Sequence, residues 1–356
     1  MITVEALTAQ HTPAWDAYVR SRPAGLPQHL SGWCTVLHNV YGYATHYLLA
    51  RCPPEGSNTA APAPIVGVLP LFFVPSWLTG RTLMTMPGGL CADSPAVAAA
   101  LIAQGRDLAQ ECKADRFVIQ DSRQRWPGEL QTTEAHVHWV VELGNDEEAL
   151  WQRLHRNLRR QVRIGRKEQL RVAIARTPEL VADFYNVLSR FTHQVGTPFF
   201  GRNFLDEVVT HFPTGYNIVV VYRGAEPIGG YFQLEMGQTV YGLWGGALHD
   251  YLALRPVHLA YWSMLADALA HNFAFLDMGR SPLDSTASAF KGEWGGVASP
   301  IYQQVAAVGQ AAKTTSAVTQ AHEDGRFRTF RRVWPKLPLP VVQLLGPKLR
   351  RHIPFA

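Results

Sequence analysis

The two halves of the chain present the same order of secondary-structure elements, and this repeat limits the folds available to it. In the first half, residues 47–51 and 65–74 have the apolar pattern of two neighbouring strands. In the second half, residues 216–222 and 228–235 have the same pattern around a short turn. Each second strand carries an aliphatic residue followed by glycine. A chain built in this way is expected to contain two copies of one α/β unit.

The elements after each strand pair also match in type and spacing. Pro95 follows Gly67 by 28 residues, and Pro256 follows Gly229 by 27 residues. Proline suits the first position of a helix, because its missing N–H would have no partner there. Each predicted helix leads to a short apolar strand, at residues 116–120 and 275–278. We expect the two units to meet along a groove, and a single undivided sheet would contradict that arrangement.

Composition and length predict a folded protein with two domains. The chain has 356 residues, of which 47% are hydrophobic and 17% are charged, a balance typical of globular proteins. We place an N-terminal domain at residues 1–144 and a C-terminal domain that carries the active site at 145–309. Residues 310–356 are predicted to be a linker followed by a basic, aromatic tail.

Positive charge is concentrated in two segments. Residues 151–176 hold nine Lys/Arg and one acid, and residues 326–356 hold eight Lys/Arg and no acid. In the first segment, one helix capped at Asn145 or Asp146 is predicted to bury Leu150, Trp151, Leu154, Leu158 and Val162. Its other face carries a basic stripe, formed by Arg153, Arg156, Arg160, Arg163 and Lys167. Such a stripe is commonly a solvated surface, but five cations facing one acid favour a polyanion partner.

The chain shows no sign of export or membrane spanning. Its first residues lack the basic and apolar regions of a signal peptide, and its most apolar stretch is broken by Gly67, Pro70 and Pro75. Four scattered cysteines without a CxxC pair are typical of the cytoplasm. The tail combines Lys/Arg with Trp334, Leu337, Leu339, Val341, Val342, Leu344 and Leu345. It either lies on an anionic membrane at the inner face or wraps the body of the protein.

Residues 275–296 have the composition of an active-site rim. The strand at 275–278 contains Asp277 and is followed by Arg280, and Lys291 comes later between Phe290 and Trp294. Ligands of α/β folds gather at the carboxyl ends of strands. Lys291 either stabilises developing negative charge or holds an anionic substrate, or it is a solvated or salt-bridged loop lysine. Asp277 is the candidate base or a turn cap. Arg280 either binds an anion or pairs with a nearby acid, while the two aromatic residues either line the site or fill the core.

Common catalytic and metal-binding motifs are absent. The sequence has no GxGxxG or Walker A loop, no GxSxG elbow, and no HExxH or paired CxxC. No metal is therefore expected. His136 and His138 share one face of a predicted strand but have no acidic or cysteine neighbour in sequence, so we interpret them as ordinary histidines.

Several segments of the chain resemble a known family in combination. They are LHRNLRRQVR (154–163), GTPFF (196–200), YRGAEPIGGYF (222–232), YGLWGGALHDYLALRP (241–256), LDMGR (276–280), AFKGEWGG (289–296) and WPKLPLPVVQLLGPKLRR (334–351). With them the chain resembles the FemAB-like, GNAT-type acyltransferases. The likeness is greatest to FemAB-like proteins associated with exosortase (PEP-CTERM) exopolysaccharide systems.

The resemblance implies a mixed α/β fold of two tandem GNAT-like domains, each a mixed sheet flanked by helices. It also implies an N-acyltransferase that transfers an acyl or aminoacyl group to an amine of an envelope or polysaccharide precursor. Acyl-CoA is favoured as donor over aminoacyl-tRNA, because only a short segment separates the basic helix from Thr177. The alternatives are a non-catalytic scaffolding protein of such a system and a tRNA-dependent aminoacyltransferase, and only the latter requires nucleic acid.

Other substrate-binding candidates surround this predicted rim. Tyr241, Trp244 and Gly245 either line the acceptor slot or form a twisted strand with aromatic packing. Arg255 precedes a predicted helix, whose free N–H groups suit a phosphate. Gly196 and Thr197 either form a loop over the cleft or simply end a helix.

Overall fold

Thirteen strands form one sheet in the computed structural model, which describes residues 1–53, 62–126, 128, 130–309 and 330–353. The first half contains β1 (Thr3–Ala6), α1 (Thr12–Ser21), α2 (Gly32–Tyr41), β2 (Ala44–Arg51), β3 (Ile65–Ser76), β4 (Gly80–Thr85), β5 (Cys91–Ala92), α3 (Pro95–Glu111), β6 (Arg116–Asp121) and β7 (Gln131–Glu142). The second half contains α4 (Glu147–Arg153), α5 (Arg156–Lys167), β8 (Arg171–Ala175), α6 (Pro178–Gln194), α7 (Arg202–His211), β9 (Tyr216–Arg223), β10 (Glu226–Met236), β11 (Thr239–Ala247), α8 (Pro256–Ala270), β12 (Phe275–Pro282), α9 (Thr286–Gly292) and β13 (Val297–Ala307). The last helix is α10 (Leu339–Arg350).

The strand order confirms the internal repeat. The sheet runs β1-β2-β3-β4-β6-β13-β7-β12-β11-β10-β9-β8. Inward from one edge the strands are β1, β2, β3, β4 and β6, and inward from the other edge they are β8, β9, β10, β11 and β12, so the two units have the same strand order. In each half three antiparallel pairings are followed by one parallel pairing, β4 with β6 and β11 with β12. A helix beginning at Pro95 or Pro256 makes each of these parallel crossovers. The predicted strands and helices of both units are therefore present.

The expectation of two separate sheets is corrected, because the units exchange their final strands. β7 follows β6 in the chain but pairs with β12, and β13 follows β12 but pairs with β6. The two exchanged strands also pair with each other. A division of the chain at residue 144 therefore leaves the sheet of each unit completed by a strand from the other half.

Aromatic side chains join the two units on one side of the sheet. Trp33 of α2 lies 5.0 Å from Phe212 and 6.4 Å from Trp244, measured between ring centroids. Phe204 of α7 also contacts this group. On the opposite side, α8 packs with α5 over the strands of the second unit. Burial of such large rings is a main source of stability in a protein of this size.

The predicted basic helix is two helices instead of one. Asp146 caps α4 as expected, since its carboxylate accepts the Ala149 N–H at 2.6 Å. Leu154 and His155 then adopt extended backbone, with ψ angles of 138° and 143°, and α5 begins after them. The predicted apolar face is buried. The cause of the break is local, because the His155 side chain accepts the Asn157 N–H and so caps the second helix.

The C-terminal segment folds against the body of the protein. Trp334 is 2% exposed, and the amide of Gln343 donates to the Ser189 hydroxyl on α6 at 3.3 Å. The predicted linker begins at residue 310, and residues 310–329 lie outside the described residues. In the described part of the chain, no helix is long and apolar enough to cross a bilayer.

Candidate active site

A cleft opens between β11 and β12 because their pairing stops early. The two strands pair in parallel from Thr239 with Phe275 to Tyr241 with Asp277, and then separate. β12 continues along β7, and β11 continues along β10. The space between them is a cleft of about 530 Å³, a volume typical of small-molecule sites. Six of the predicted site residues line it, namely Trp244, Gly245, Asp277, Arg280, Phe290 and Lys291.

Lys291 lies on α9 and directs its ammonium group at the backbone of β12. Its Nζ donates to the carbonyl oxygen of Gly279 at 2.8 Å and to that of Arg280 at 3.1 Å. The side chain is only 8% exposed. Burial lowers the pKa of Lys291 to about 8, although the charge of Asp277 acts in the opposite direction. The expectation that Lys291 lies in a concavity is confirmed, while its chemical role stays a prediction.

An irregularity in β12 provides the two carbonyl groups that Lys291 contacts. The register of β12 against β7 shifts between Asp277 and Arg280. Gly279 lies inside this shift with a φ of 74°. A Cβ at this position would lie 2.3 Å from the carbonyl oxygen of Gly242, so the close approach of β11 and β12 requires glycine.

Asp277 is held by two hydrogen bonds. Its Oδ1 accepts the Gly279 N–H at 2.7 Å, which confirms the interpretation of Asp277 as a turn cap. Its Oδ2 lies 3.1 Å from Nδ1 of His138 on β7. The Nε2 of the same ring lies 3.0 Å from the Ser122 carbonyl oxygen. The proposed role of Asp277 as a base stays a prediction.

His138 has an acidic partner that its neighbours in sequence did not indicate. The ring pairs with a carboxylate that lines the cleft, and both side chains are 14% exposed. Burial alone would lower the pKa of His138, but the hydrogen bond and charge of Asp277 raise it overall. The partner was invisible in sequence because strand exchange brings β7 beside β12.

Arg280 adds a second cation to the cleft. Burial lowers the pKa of Arg280 to about 10, and the charge of Arg350 at the end of α10 acts in the same direction. A guanidinium group lining a cleft beside an ammonium group suits a ligand that carries negative charge.

Two polar side chains that line the cleft were missed by sequence reasoning. His258, in the first turn of α8, has a buried Nδ1 with no hydrogen-bond partner among the described residues. Burial lowers the pKa of His258 to about 4, so its ring is neutral at pH 7. Gln233 is 2% exposed, and its amide nitrogen likewise lacks a partner among the described residues. Buried polar groups normally have partners, so both are candidates for contact with a ligand.

The backbone of β11 is irregular where it borders the cleft. Its register against β10 shifts so that Phe232 pairs with Trp244 and Gln233 with Gly242, which leaves Leu243 as an extra residue. Such bulges are frequent next to active sites. A Cβ on Gly245 would lie 2.1 Å from the ring of Tyr231, so aromatic packing requires this glycine.

Five of the predicted site residues do not line the cleft; they are Tyr241, Arg255, Trp294, Gly196 and Thr197. Trp294 is 2% exposed and packs against Tyr261 and Phe290, which corrects its predicted contact with substrate. Arg255 does precede α8, with a φ of 62°. Gly196 ends the turn after α6 with a φ of 74°, and a Cβ there would lie 2.4 Å from the Arg331 carbonyl oxygen. This loop therefore packs under the C-terminal segment and not over the cleft.

The corresponding position of the first unit is closed by its own chain. β4 pairs with β6 only from Thr82 to Met84. The next residues then cross the gap, because the Gly88 N–H donates to the Gln120 carbonyl oxygen at 2.9 Å. The buried ring of His29 lies 2.9 Å from the Gly88 carbonyl oxygen on the other side. Strand separation therefore forms a cleft in the second unit, while the first unit fills the equivalent space.

The basic stripe lies on the surface away from the cleft lining. Arg153, Arg156, Arg160, Arg163 and Lys167 are all exposed. Arg153 belongs to α4 and donates to the carbonyl oxygens of Glu142 and Leu143, so the stripe is not one continuous helical face. Its binding to a polyanion stays a prediction. Within the described part of the chain, no three His, Cys, Asp or Glu side chains are grouped to hold a metal ion.

Comparison with known proteins identifies the class to which this fold and cleft belong. Residues 152–291 match the model of a family described as an acetyltransferase (GNAT) domain. The match contains β11, β12, α8 and α9, which form the cleft. This part of the second half thus matches a GNAT domain, and the GNAT part of the predicted resemblance is confirmed.

Solved structures extend this similarity to both halves. The chain has a TM-score of 0.67 and 15% identity to FemX, covering 88% of this chain and 100% of that one. A tandem GNAT protein from the clavulanic acid biosynthesis pathway gives a TM-score of 0.55 and 12% identity, with 87% and 99% coverage. The C-terminal domain of a putative lysylphosphatidylglycerol synthetase from Agrobacterium fabrum gives 0.56 and 12%, with 88% and 96% coverage. At these identities the similarity establishes the tandem GNAT-type fold alone. No curated protein sequence matches the chain.

Proposed function

We propose that the chain is an N-acyltransferase whose donor binds between β11 and β12. The observation that carries this proposal is the early end of β11–β12 pairing, which opens a cleft around the buried ammonium group of Lys291. Beyond the last pair, the edge of β11 has backbone groups that an extended donor can bind, as an added strand does. The match of this region to a GNAT domain supports acyl transfer.

Each polar group of the cleft has a proposed part in the reaction. A neutral amine attacks the carbonyl carbon of the donor, and negative charge develops on the carbonyl oxygen. When the carbonyl forms again, the bond between the acyl carbon and the carrier breaks, and the carrier leaves with the electron pair of that bond and takes up the proton that the amine has lost. The Lys291 ammonium group stabilises this charge, because a buried cation interacts strongly with a nearby anion. Asp277, held in place by His138, accepts the proton that the amine loses. The neutral ring of His258 and the amide of Gln233 bind the donor or acceptor by hydrogen bonds.

Acyl-CoA is the proposed donor. The first turn of α8 borders the cleft through Val257 and His258, and free N–H groups at a helix start suit the phosphates of such a donor. Only β8 lies between α5 and α6, so this part of the chain has no helical hairpin of the kind expected for a tRNA-using Fem enzyme. Aminoacyl-tRNA, bound through the basic stripe, is the alternative donor.

The proposed acceptor is an amine of a cell-envelope or polysaccharide precursor, including those of exosortase-associated exopolysaccharide systems. Two of the similar structures are named for FemX and for a lysylphosphatidylglycerol synthetase, and the second name refers to a membrane lipid. Both structures are similar in fold to this chain over 88% of its length. On this proposal the protein acts in the cytoplasm, at the inner face of the membrane.

A donor screen by mass spectrometry tests the proposal. The purified protein is incubated with a panel of amine acceptors and either acyl-CoA thioesters or charged tRNA, and transfer is read as a mass increase of the acceptor. Lys291→Met should remove turnover while the protein stays folded. Lys113→Met, which removes an exposed lysine that belongs neither to the cleft nor to the basic stripe, is the matched control and should retain it.

The pH profile distinguishes a role for the ammonium form of Lys291 from a role for its neutral amine form. If the ammonium form is required, the rate should fall as the pH rises through about 8. With an acceptor amine that is already neutral below this range, a rate that increases through it would instead indicate that the neutral form of Lys291 is the active one. Absence of turnover with every donor, by a folded protein, would favour the non-catalytic scaffolding alternative.

A further inference from the structure

The outer face of α10 is apolar although the helix is already packed on the protein. Val341, Leu344 and Leu345 are 38%, 64% and 39% exposed. They are at positions i, i+3 and i+4, which lie on one side of a helix, and the exposed Lys348 at i+7 lies on the same side. A helix packed by its inner face normally presents polar residues outward. This helix therefore has a second surface that needs a partner.

The turn between β3 and β4 extends this surface. Trp77 is 74% exposed and Leu78 is 41% exposed. The ring of Trp77 lies 5.7 Å from that of His352, just after α10. The Ser76 hydroxyl donates to the His352 carbonyl oxygen at 2.6 Å, so the turn and the end of the helix are held together. We call these exposed apolar residues and their neighbouring cations the α10 surface.

The C-terminal segment, which forms most of the α10 surface, carries charge of one sign. Residues 330–353 contain six Lys/Arg and no Asp or Glu. Of these, Arg331, Arg332, Lys336, Lys348 and Arg351 are exposed. Apolar side chains combined with cations and an exposed tryptophan are the composition of helices that lie in the interface of an anionic membrane.

The α10 surface is anchored firmly enough to orient the protein. The Tyr43 hydroxyl donates to the Arg351 carbonyl oxygen at 2.6 Å, and Gly346 packs against the backbone of Phe199. Gln343 of α10 donates to the Ser189 hydroxyl of α6 at 3.3 Å, and Phe191 of the same helix lines the cleft. A partner bound at this surface would therefore lie near the cleft.

We propose that the α10 surface docks the protein on an anionic lipid bilayer, with α10 lying in the plane of the interface. The apolar stripe and Trp77 enter the headgroup region, and the surrounding cations contact lipid phosphates. This inference goes beyond acyl transfer. Only its consequence, that a membrane-linked acceptor reaches the cleft, rests on the proposed function.

Vesicle co-sedimentation tests the docking surface without any need for activity. The full chain is mixed with phosphatidylcholine vesicles that contain either no phosphatidylglycerol or about 30% phosphatidylglycerol. We expect binding to the anionic vesicles that weakens as salt increases. Equal binding to both vesicle types, or no binding to either, would overturn the proposal.

Variants separate the apolar and charged contributions. The double change Leu344→Glu and Leu345→Glu should reduce vesicle binding about ten-fold or more. Lys348→Gln should reduce it about five-fold, as expected for one cation near an anionic surface. Val297→Glu is the matched control, because Val297 is 72% exposed at the start of β13 and lies outside the α10 surface.

Two further measurements distinguish membrane docking from catalysis and from dimerisation. Lys291→Met should bind vesicles as the wild type does, so loss of activity and loss of docking are separable. Sedimentation velocity reports whether the surface instead joins two copies of the chain. A dimer that the Leu344 and Leu345 changes convert to a monomer, without vesicle binding by either form, would refute membrane docking.

Discussion

We expect the side chain of Lys291 to lose its proton near pH 8 in the folded protein. Burial lowers its pKa from 10.5 to about 8, a difference that corresponds to about 3 kcal/mol. Between these two pH values the unfolded chain binds the proton and the folded protein does not. Stability therefore increases with pH in this range. The gain is absent below pH 8 and complete above pH 10.5.

The change Lys291→Met isolates this contribution. Methionine has a similar length and carries no charge, so the variant lacks the pH-dependent gain. Urea unfolding of both proteins at intervals from pH 7 to pH 10.5 should show the wild type gaining about 3 kcal/mol relative to the variant. All other groups titrate in both proteins, so their contributions cancel in the difference between the two free energies of unfolding. Lys167→Met, at an exposed position on α5, controls for the removal of one positive charge.

Direct observation of the titration completes this test. The chain contains six lysines, so ¹³C-labelled lysine side chains can be resolved and assigned by NMR. The signal that Lys291→Met removes should titrate near pH 8. A constant stability difference between wild type and variant, or a Lys291 midpoint near 10.5, would refute the argument that the cleft desolvates this group.

Three further predictions concern the cleft and the core beside it. Asp277→Asn should lower the pKa of His138, measured by NMR, because Asp277 raises it; an unchanged titration would contradict the pairing. Gly279→Ala should destabilise the protein by about 1–3 kcal/mol in thermal unfolding. Gly237→Ala should destabilise the protein less, since Gly237 also has a positive φ but no atom lies within 4 Å of the new Cβ. Equal losses of stability in the two variants would contradict the close contact at Gly279. Trp294→Ala should cost about 3–5 kcal/mol, and a loss under 1 kcal/mol would show that Trp294 is not part of the core.

Sequence reasoning located the cleft more accurately than the contacts within it. Lys291, Asp277 and Arg280 were found because an apolar strand followed by charged residues indicates the carboxyl edge of a sheet. Trp294 was misassigned because a tryptophan at that spacing suits either a core or a rim. His258 and Gln233 gave no sequence signal, since their lack of a partner is a property of the assembled cleft.

The interaction of Asp277 with His138 shows why some contacts could not be predicted. The two residues are 139 positions apart, and they meet only because β7 crosses to the sheet of the other unit. Strand exchange leaves no periodic pattern, because an exchanged strand has the same alternation as one that stays in its own unit. The single continuous sheet was missed for the same reason.

The sequence by itself determined the repeated α/β unit, the helix starts at Pro95 and Pro256, and the positions of most strands. These features depend on local periodicity and on residues that fix the backbone. The tertiary structure decided which unit keeps an open cleft and which is closed by its own loop. It also decided that α10 packs on the body with an apolar face outward. Both outcomes depend on which distant surfaces meet, and local patterns carry no information about that choice.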